Sequence, residues 1–498
     1  MKKNNIYYRS TRGSKEKILS SEAIVRGIAS DGGLFVPQTI PKIKENLINL
    51  KGLDYKELAY RIMKEFFTDY SEDELKDCIN KAYDKKFDTK VIAPINKKLG
   101  VYFLELYHGP TLAFKDMALS LLPHLLQKAV QKLNINKEIV ILTATSGDTG
   151  KAALEGFADI PGTKIIVFFP QEGVSEIQKK QMLTQKGENT YVVGIKGNFD
   201  DAQKEVKAIF EDFAFNEKLR EKNYIFSSAN SINIGRLIPQ IVYYFYAYLN
   251  MLNEKEIEKG EKINIVVPTG NFGNILAAYY VGEMGLPVNK LICASNENKV
   301  LTDFFKDGVY DRRRELMMTI SPSMDILVSS NLERLLFTIN QGKTAKVKKM
   351  INLLQEKGFY RITSAMKKRL SDFYGEYALQ REACQSIREI FDKTRYLIDP
   401  HTAVGYAVYK KYSEKTKDNT KTIIVSTASP FKFTKSVMGA LDEKYREFDD
   451  FELIEKMANL CLLPVPEGVR GIKGRPILHK RICNKEKIRE EIAEILNL

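Results

Sequence analysis

Lys115 stands in the segment HGPTLAFKD, residues 108–116, beside Phe114 and just ahead of the apolar run MALSLLPHLL. A lysine on an apolar element loses hydration, so it must be neutralised, paired or covalently used. Taken alone the segment also fits a structural or solvated lysine. SGDTG, residues 146–150, gathers hydroxyls, a carboxylate and glycines ahead of the helix-like KAALEGFA. Amide N–H groups at such a helix start favour an anion, although an ordinary capped strand–helix turn has the same composition. The interval from Gly147 to Gly150-Lys151 is too short for a nucleotide P-loop, and Ala152 replaces its metal-binding hydroxyl. In TGNFGN, residues 269–274, Gly270 and Gly273 are expected to let the backbone turn tightly and aim amides at a phosphate. The spacing is not that of a dinucleotide site, so a single phosphate fits better than a pyrophosphate. Finally, TIIVST at 422 runs into ASPFKF and presents Ser426 and Thr427 at a strand end.

Each of these segments follows a short β-rich run. Apolar runs at 101, 138, 164, 190, 224, 263, 290 and 422 alternate with helix-like stretches, the pattern of strands buried on both faces in parallel sheets with right-handed crossovers. The fold class is therefore α/β. In open parallel sheets ligands sit at the carboxyl ends of strands, where the four polar segments fall. The first 95 or so residues lack the alternation and read as a mainly helical unit. Residues 335–395 read as charged and helical, and the last 50 as helices with a Pro/Gly-containing loop, LPVPEGVRGIKGRP.

Composition narrows the class further. The chain has 498 residues, 44% of them hydrophobic, enough for a large core and several structural units. A formal net charge of +14 is compatible with anionic partners. Charges alternate in surface-like stretches such as LNEKEIEKGEKIN, however, and no arginine–aromatic repeat or helix-turn-helix pattern is present, so nucleic acid is not expected as a partner. Five scattered cysteines with no C-x-x-C pair suggest neither disulfides nor zinc. His108, His124, His401 and His479 are equally scattered and read as structural, so no metal is expected. No apolar run suits a signal peptide or a membrane helix, so a cytoplasmic protein without a membrane partner is expected.

A lysine nucleophile, a hydroxyl-rich anion turn, a one-phosphate glycine loop and a strand-end hydroxyl are together what pyridoxal 5'-phosphate (PLP) requires. The combination of HGPTLAFKD, TSGDTG, GNFGN and SANSINIGRLIPQ resembles the threonine synthase family, within the fold-type II PLP enzymes typified by tryptophan synthase β. The resemblance runs from STRG at 10 and DGGLFVP at 31, through SPSMDI at 321, to STASPFKF at 426.

The resemblance implies four parts: a helical N-terminal domain (1–95), a large PLP-binding α/β domain (96–127 and 261–450), a smaller mobile α/β domain (128–260) and a C-terminal helical extension (451–498). It implies O-phospho-L-homoserine as substrate, threonine and phosphate as products, and a monomer or homodimer. Lys115 would be the catalytic residue, joined to the cofactor and then moving protons at the substrate's Cα and Cβ. Gly270, Asn271, Phe272, Gly273 and Asn274 would receive the cofactor phosphate. Thr427, with Ser426 as alternative, would face the pyridine nitrogen. Thr145, Ser146 and Thr149 would hold the substrate carboxylate, and Asn230, Ser231 and Arg236 its phosphate; Arg236 also fits a surface helix arginine. Asp148 departs from the pattern, standing where many relatives carry an asparagine at the cofactor's 3'-oxygen, which leaves its proton unassigned. A phospho-lyase giving 2-oxobutyrate from the same substrate is the alternative outcome.

Overall fold

The structure is a computed structural model; it describes residues 5–145 and 147–498, apart from the side chains of residues 199 and 200. Strands form at all eight β-rich runs, and they divide between two sheets. The larger sheet has the order Phe373–Tyr377, Val288–Ser295, Ile263–Pro268, Thr422–Ser426, Val101–Glu105, Ile95–Lys98, and only the last pairing is antiparallel. The second has the order Arg481–Asn484, Thr190–Lys196, Thr163–Pro170, Glu138–Ala144, Tyr224–Ser227 and is parallel throughout.

Alternation along the central strands explains their two-sided burial. Ile265, Val267, Ile423 and Val425 enter one apolar cluster, together with residues of the helices Pro239–Asn253 and Gly273–Met284. Val266, Ile424 and Phe103 enter another, with the helix Pro400–Thr416. Because successive strand side chains point to opposite faces, a wholly apolar run needs a helix layer on each side. Ile424 pairs with both Phe103 and Val266. That register brings the carboxyl ends of three strands level, so the segments holding Lys115, residues 269–274 and Thr427 emerge side by side.

The N-terminal residues brace this arrangement. Tyr8–Ser10 pairs with Phe35–Pro37, and three helices follow at Ser20–Arg26, Tyr55–Met63 and Glu72–Ala82, the last opened by a Ser71–Glu74 capping box. The Tyr83 hydroxyl donates to the Met117 carbonyl at 2.6 Å, and that of Tyr70 to Leu125 at 2.9 Å. Both acceptors lie on the helices immediately after Lys115.

Two helical expectations need correction. Phe373–Tyr377, inside the stretch read as helical, is an edge strand of the larger sheet, and Arg481–Asn484, inside the expected helical extension, is an edge strand of the second. The first is short and interrupted by Gly375; the second has only Cys483 buried, so neither carries an apolar alternation. No described helix is long and apolar enough to cross a membrane, and no group of three or more His, Cys, Asp or Glu among the described residues could hold a metal ion.

Candidate active site

The loop that carries Lys115 is fixed at both ends. Ala113 bridges to Ala428, the Phe114 amide donates to the Thr427 carbonyl at 2.8 Å, and the Ser429 amide donates to Leu112 at 3.0 Å. Within the loop the Asp116 carboxylate accepts from the Thr111 amide at 2.9 Å and its hydroxyl at 2.6 Å. Burial raises the Asp116 pKa to about 6, with those hydrogen bonds opposing the rise. Lys115 itself lines a cavity, its Nζ 4.0 Å from the centroid of the Phe114 ring. No hydrogen bond or ion pair reaches that Nζ among the described residues. Burial above all, then the positive charge of Arg236, lowers its pKa to about 7, against the pull of Asp148. The free amine is therefore accessible near neutrality.

Across the cavity, residues 269–274 close the turn between Ile263–Pro268 and the helix Gly273–Met284. Neither Gly270 nor Gly273 supplies a left-handed conformation to this turn. That conformation falls on Phe272, φ 65°. Phe272 is held there by burial against Phe305 and Phe373. Gly270 is required for space, since a Cβ would lie 2.4 Å from the Ser323 carbonyl oxygen. The amides of Asn271, Phe272 and Gly273 have no partner among the described residues, and Asn271 Oδ1 and Asn274 Nδ2 are buried and unpaired. Asn274 Oδ1, by contrast, accepts from Tyr243 at 2.9 Å and from Tyr244.

Arg236 is not a surface residue. It is 2% exposed on the short helix Ile234–Leu237, with one NH1 bond of 2.7 Å to the Ala229 carbonyl and its Nε unpaired. No carboxylate among the described residues forms an ion pair with it. Burial lowers its pKa to about 10, which leaves it cationic. Asn230 and Ser231 line the same cavity; Asn230 Nδ2 donates to Ala144 at 2.8 Å, and Ser231 Oγ accepts from Asn331 Nδ2 at 2.9 Å.

The hydroxyl-rich turn divides its residues. Thr149 lines the cavity, whereas the Thr145 oxygen accepts from the Gly147 and Gly150 amides at 3.0 and 2.8 Å and caps the turn. Ser146 lies outside the described residues. Asp148 points into an ion pair with the wholly buried Lys432, 2.7 Å away, and also accepts from Gln178 at 2.7 Å. Burial alone would raise its pKa, but Lys432 outweighs this and holds it at about 2, so Asp148 is a carboxylate. Lys432 donates in addition to the Thr111 carbonyl at 2.8 Å, joining this turn to the Lys115 loop. Thr427 lines the cavity; Ser426 does not, and its hydroxyl is buried and unpaired.

Two participants escaped the sequence reading. His401, taken as structural, lines the cavity with Nδ1 on Asp399 at 2.7 Å and Nε2 accepting from the Ser323 amide at 3.2 Å. Its signal was Asp-Pro-His at a helix start, an N-cap followed by a proline that orients the ring. Lys432 gave no signal beyond standing in ASPFKF.

Comparison with known proteins resolves what this geometry belongs to. Residues 7–83 match the family described as threonine synthase N terminus, 88–428 that of pyridoxal-phosphate dependent enzymes, and 402–472 threonine synthase, C-terminal. Threonine synthase of Saccharomyces cerevisiae is 37% identical over 465 residues, covering 87% of this chain and 89% of that protein. The chain belongs to the threonine synthase family. Human threonine synthase-like 1 is 41% identical over 485 residues, 95% of this chain; the chain spans 63% of that relative's length. PLP-bound threonine synthase from Brucella melitensis superposes with a TM-score of 0.85 at 32% identity, over 99% of this chain and 98% of that one.

Membership makes this a fold-type II PLP enzyme, and the threonine synthase-like site suits the cofactor on observations of its own. A lysine amine without a polar partner faces the cavity, and three unclaimed amides with unpaired asparagine atoms form the opposite wall. The lysine amine is the nucleophile an aldehyde would take, and the three amides with Asn274 Nδ2 are donors that a phosphate would satisfy.

Proposed function

We propose that this chain is a threonine synthase, converting O-phospho-L-homoserine and water to L-threonine and phosphate. The observation that carries the reading is the pairing, in one cavity, of a partnerless lysine amine with a buried arginine that has no carboxylate. A cation buried without an acid calls for an anionic ligand, and a phosphate ester meets its planar fork.

When bound, PLP supplies an electron sink that acidifies the substrate's Cα and, through it, Cβ. Lys115, with a pKa of about 7, is matched to taking protons from Cα and Cβ and returning them. The free amides of Asn271, Phe272 and Gly273, with Gly270 and Asn274 beside them, hold the cofactor phosphate. Thr427, with Ser426 behind it, would offer a neutral hydroxyl to the ring nitrogen, and Asp148, ionised and paired with Lys432, would act toward the 3'-oxygen from behind the cavity wall. Thr149 orients the substrate carboxylate; Thr145 acts by shaping the turn, and Ser146 completes the carboxylate site. Arg236, Asn230 and Ser231 hold the phosphate as it leaves Cγ. Closure of residues 128–260 over the rest keeps water out until it adds at Cβ.

The alternative outcome at the same site is a phospho-lyase that gives 2-oxobutyrate from the same substrate. Product analysis separates the two. Incubation of the holoenzyme with O-phosphohomoserine should yield threonine and phosphate in equal amounts. Phosphate with 2-oxobutyrate and no threonine would establish the lyase instead.

A further inference from the structure

Outside the catalytic cavity lies a second, wider cleft of about 600 Å³. Ala144 and Asn230 line both, so the two adjoin at these residues. One wall of the cleft is the helix Phe199–Glu211, which contributes Lys204 and Lys207; another comes from the N-terminal strand region through Arg12, and a third from Arg312.

Its two carboxylates are already committed. Glu333 accepts from the Thr11 hydroxyl at 2.5 Å and from Arg12 at 2.9 and 2.8 Å. Asp201 accepts from the Asn198 amide and from Lys485, each at 3.0 Å. The lysines are not. Lys204 forms no ion pair among the described residues, and Lys207 reaches only Glu211, at 3.9 Å. Burial, then the charge of Arg12, lowers the Lys207 pKa, with Glu211 and Glu333 acting the other way. The cleft therefore has net positive charge, its acids are neutralised by their own partners, and its lysines lack a tight counter-ion.

We propose that this cleft is an antechamber that binds a phosphate-monoester or inorganic-phosphate dianion through Lys207, with Lys204 at its rim, between solvent and Arg236. The proposal rests on the phosphate-ester reading of the active site. A basic approach walled by low-dielectric protein raises the local concentration of an anion, and its effect is reduced by salt. Substrate entering and phosphate leaving present the same chemistry, and kinetics distinguishes them.

The test uses holoenzyme carrying Lys207→Ala, Lys207→Glu and Lys207→Arg. For substrate entry, kcat/KM on O-phosphohomoserine should fall about threefold to tenfold in the alanine variant and further in the glutamate variant, with a flatter dependence on ionic strength. The arginine variant should stay near wild type, and kcat and cofactor content should be preserved. A fall in kcat with slowed phosphate release would assign the same station to product exit. Calorimetric titration with inorganic phosphate provides a readout independent of turnover: weak binding should survive in Arg236→Ala and disappear when Lys207→Glu is added. If Lys207→Glu leaves kcat/KM, its salt dependence and phosphate binding unchanged, the antechamber is overturned. If the wild type is inert on O-phosphohomoserine, the functional reading falls, and the phosphate titration alone decides whether the second station exists.

Discussion

On the proposed reading Arg236 ties the cavity to a phosphate ester, because it is 2% exposed, cationic and without an acid partner among the described residues. A neutral leaving group such as acetyl cannot satisfy it. Losing a charge-assisted contact to a buried anion costs about 2 to 5 kcal/mol, on the order of 30-fold to several thousand-fold in rate. Arg236→Ala should therefore retain PLP but lose most activity on O-phosphohomoserine, and its preference for that ester over O-acetylhomoserine should shrink. A preference equal to that of wild type would mean that the anion is read by other groups. In the sequence Arg236 stands out by resemblance alone, with a surface helix arginine as the rival; burial, which spacing cannot reveal, removes the rival. Gly270 shows the opposite limit. Its presence in the loop was legible, yet the reason for it, the Ser323 carbonyl pressed against it, comes from a segment 53 positions away in the chain.

At the scale of elements, the turn that opens Asp148–Phe157 and the loop that carries Lys115 are pinned together by Lys432, which bonds to Asp148 and to the Thr111 carbonyl. Removing one member of a buried ion pair strands the other charge and typically costs about 3–5 kcal/mol, whereas a neutral pair of similar shape costs far less. Lys432→Met should lower the unfolding midpoint steeply, and Lys432→Met combined with Asp148→Asn should recover most of the loss. An additive double variant would show that the two side chains do not act as a unit. A second pin stands at the start of the same loop, where His108 lies 2.5 Å from Asp88 and 2.8 Å from Glu105. Burial opposes its charge, but the two carboxylates win and raise its pKa from 6.5 to about 9. A raised folded-state pKa gives stability that is complete below about 6.5 and is lost as pH rises through about 9. The urea-midpoint gap between wild type and His108→Gln should thus be widest near pH 6 and close above about pH 9; a gap independent of pH would contradict a protonated His108. Strands with two buried faces announced themselves as apolar runs. The edge strands Phe373–Tyr377 and Arg481–Asn484 did not, because their place is decided by a neighbouring strand they pair with and not by an apolar pattern of their own.

Over the whole molecule, two largely parallel sheets each direct the carboxyl ends of some of their strands at one cavity, and an N-terminal unit braces the helices behind Lys115. The alternation of strand and helix made that arrangement legible, since a parallel sheet places its loops at one edge. Lys432 was not legible, and Asp-Pro-His gave only the orientation of the His401 ring, because their neighbours, Asp148 and Ser323, are distant in sequence and meet them only once the chain is folded. On the proposed function, the one lysine of HGPTLAFKD, with its amine facing the cavity, carries the cofactor. Borohydride reduction of the holoenzyme followed by peptide mapping tests it most directly. The expected outcome is loss of the visible absorbance and a single pyridoxyl group on Lys115; a pyridoxyl group on any other lysine, or none at all, would contradict the assignment.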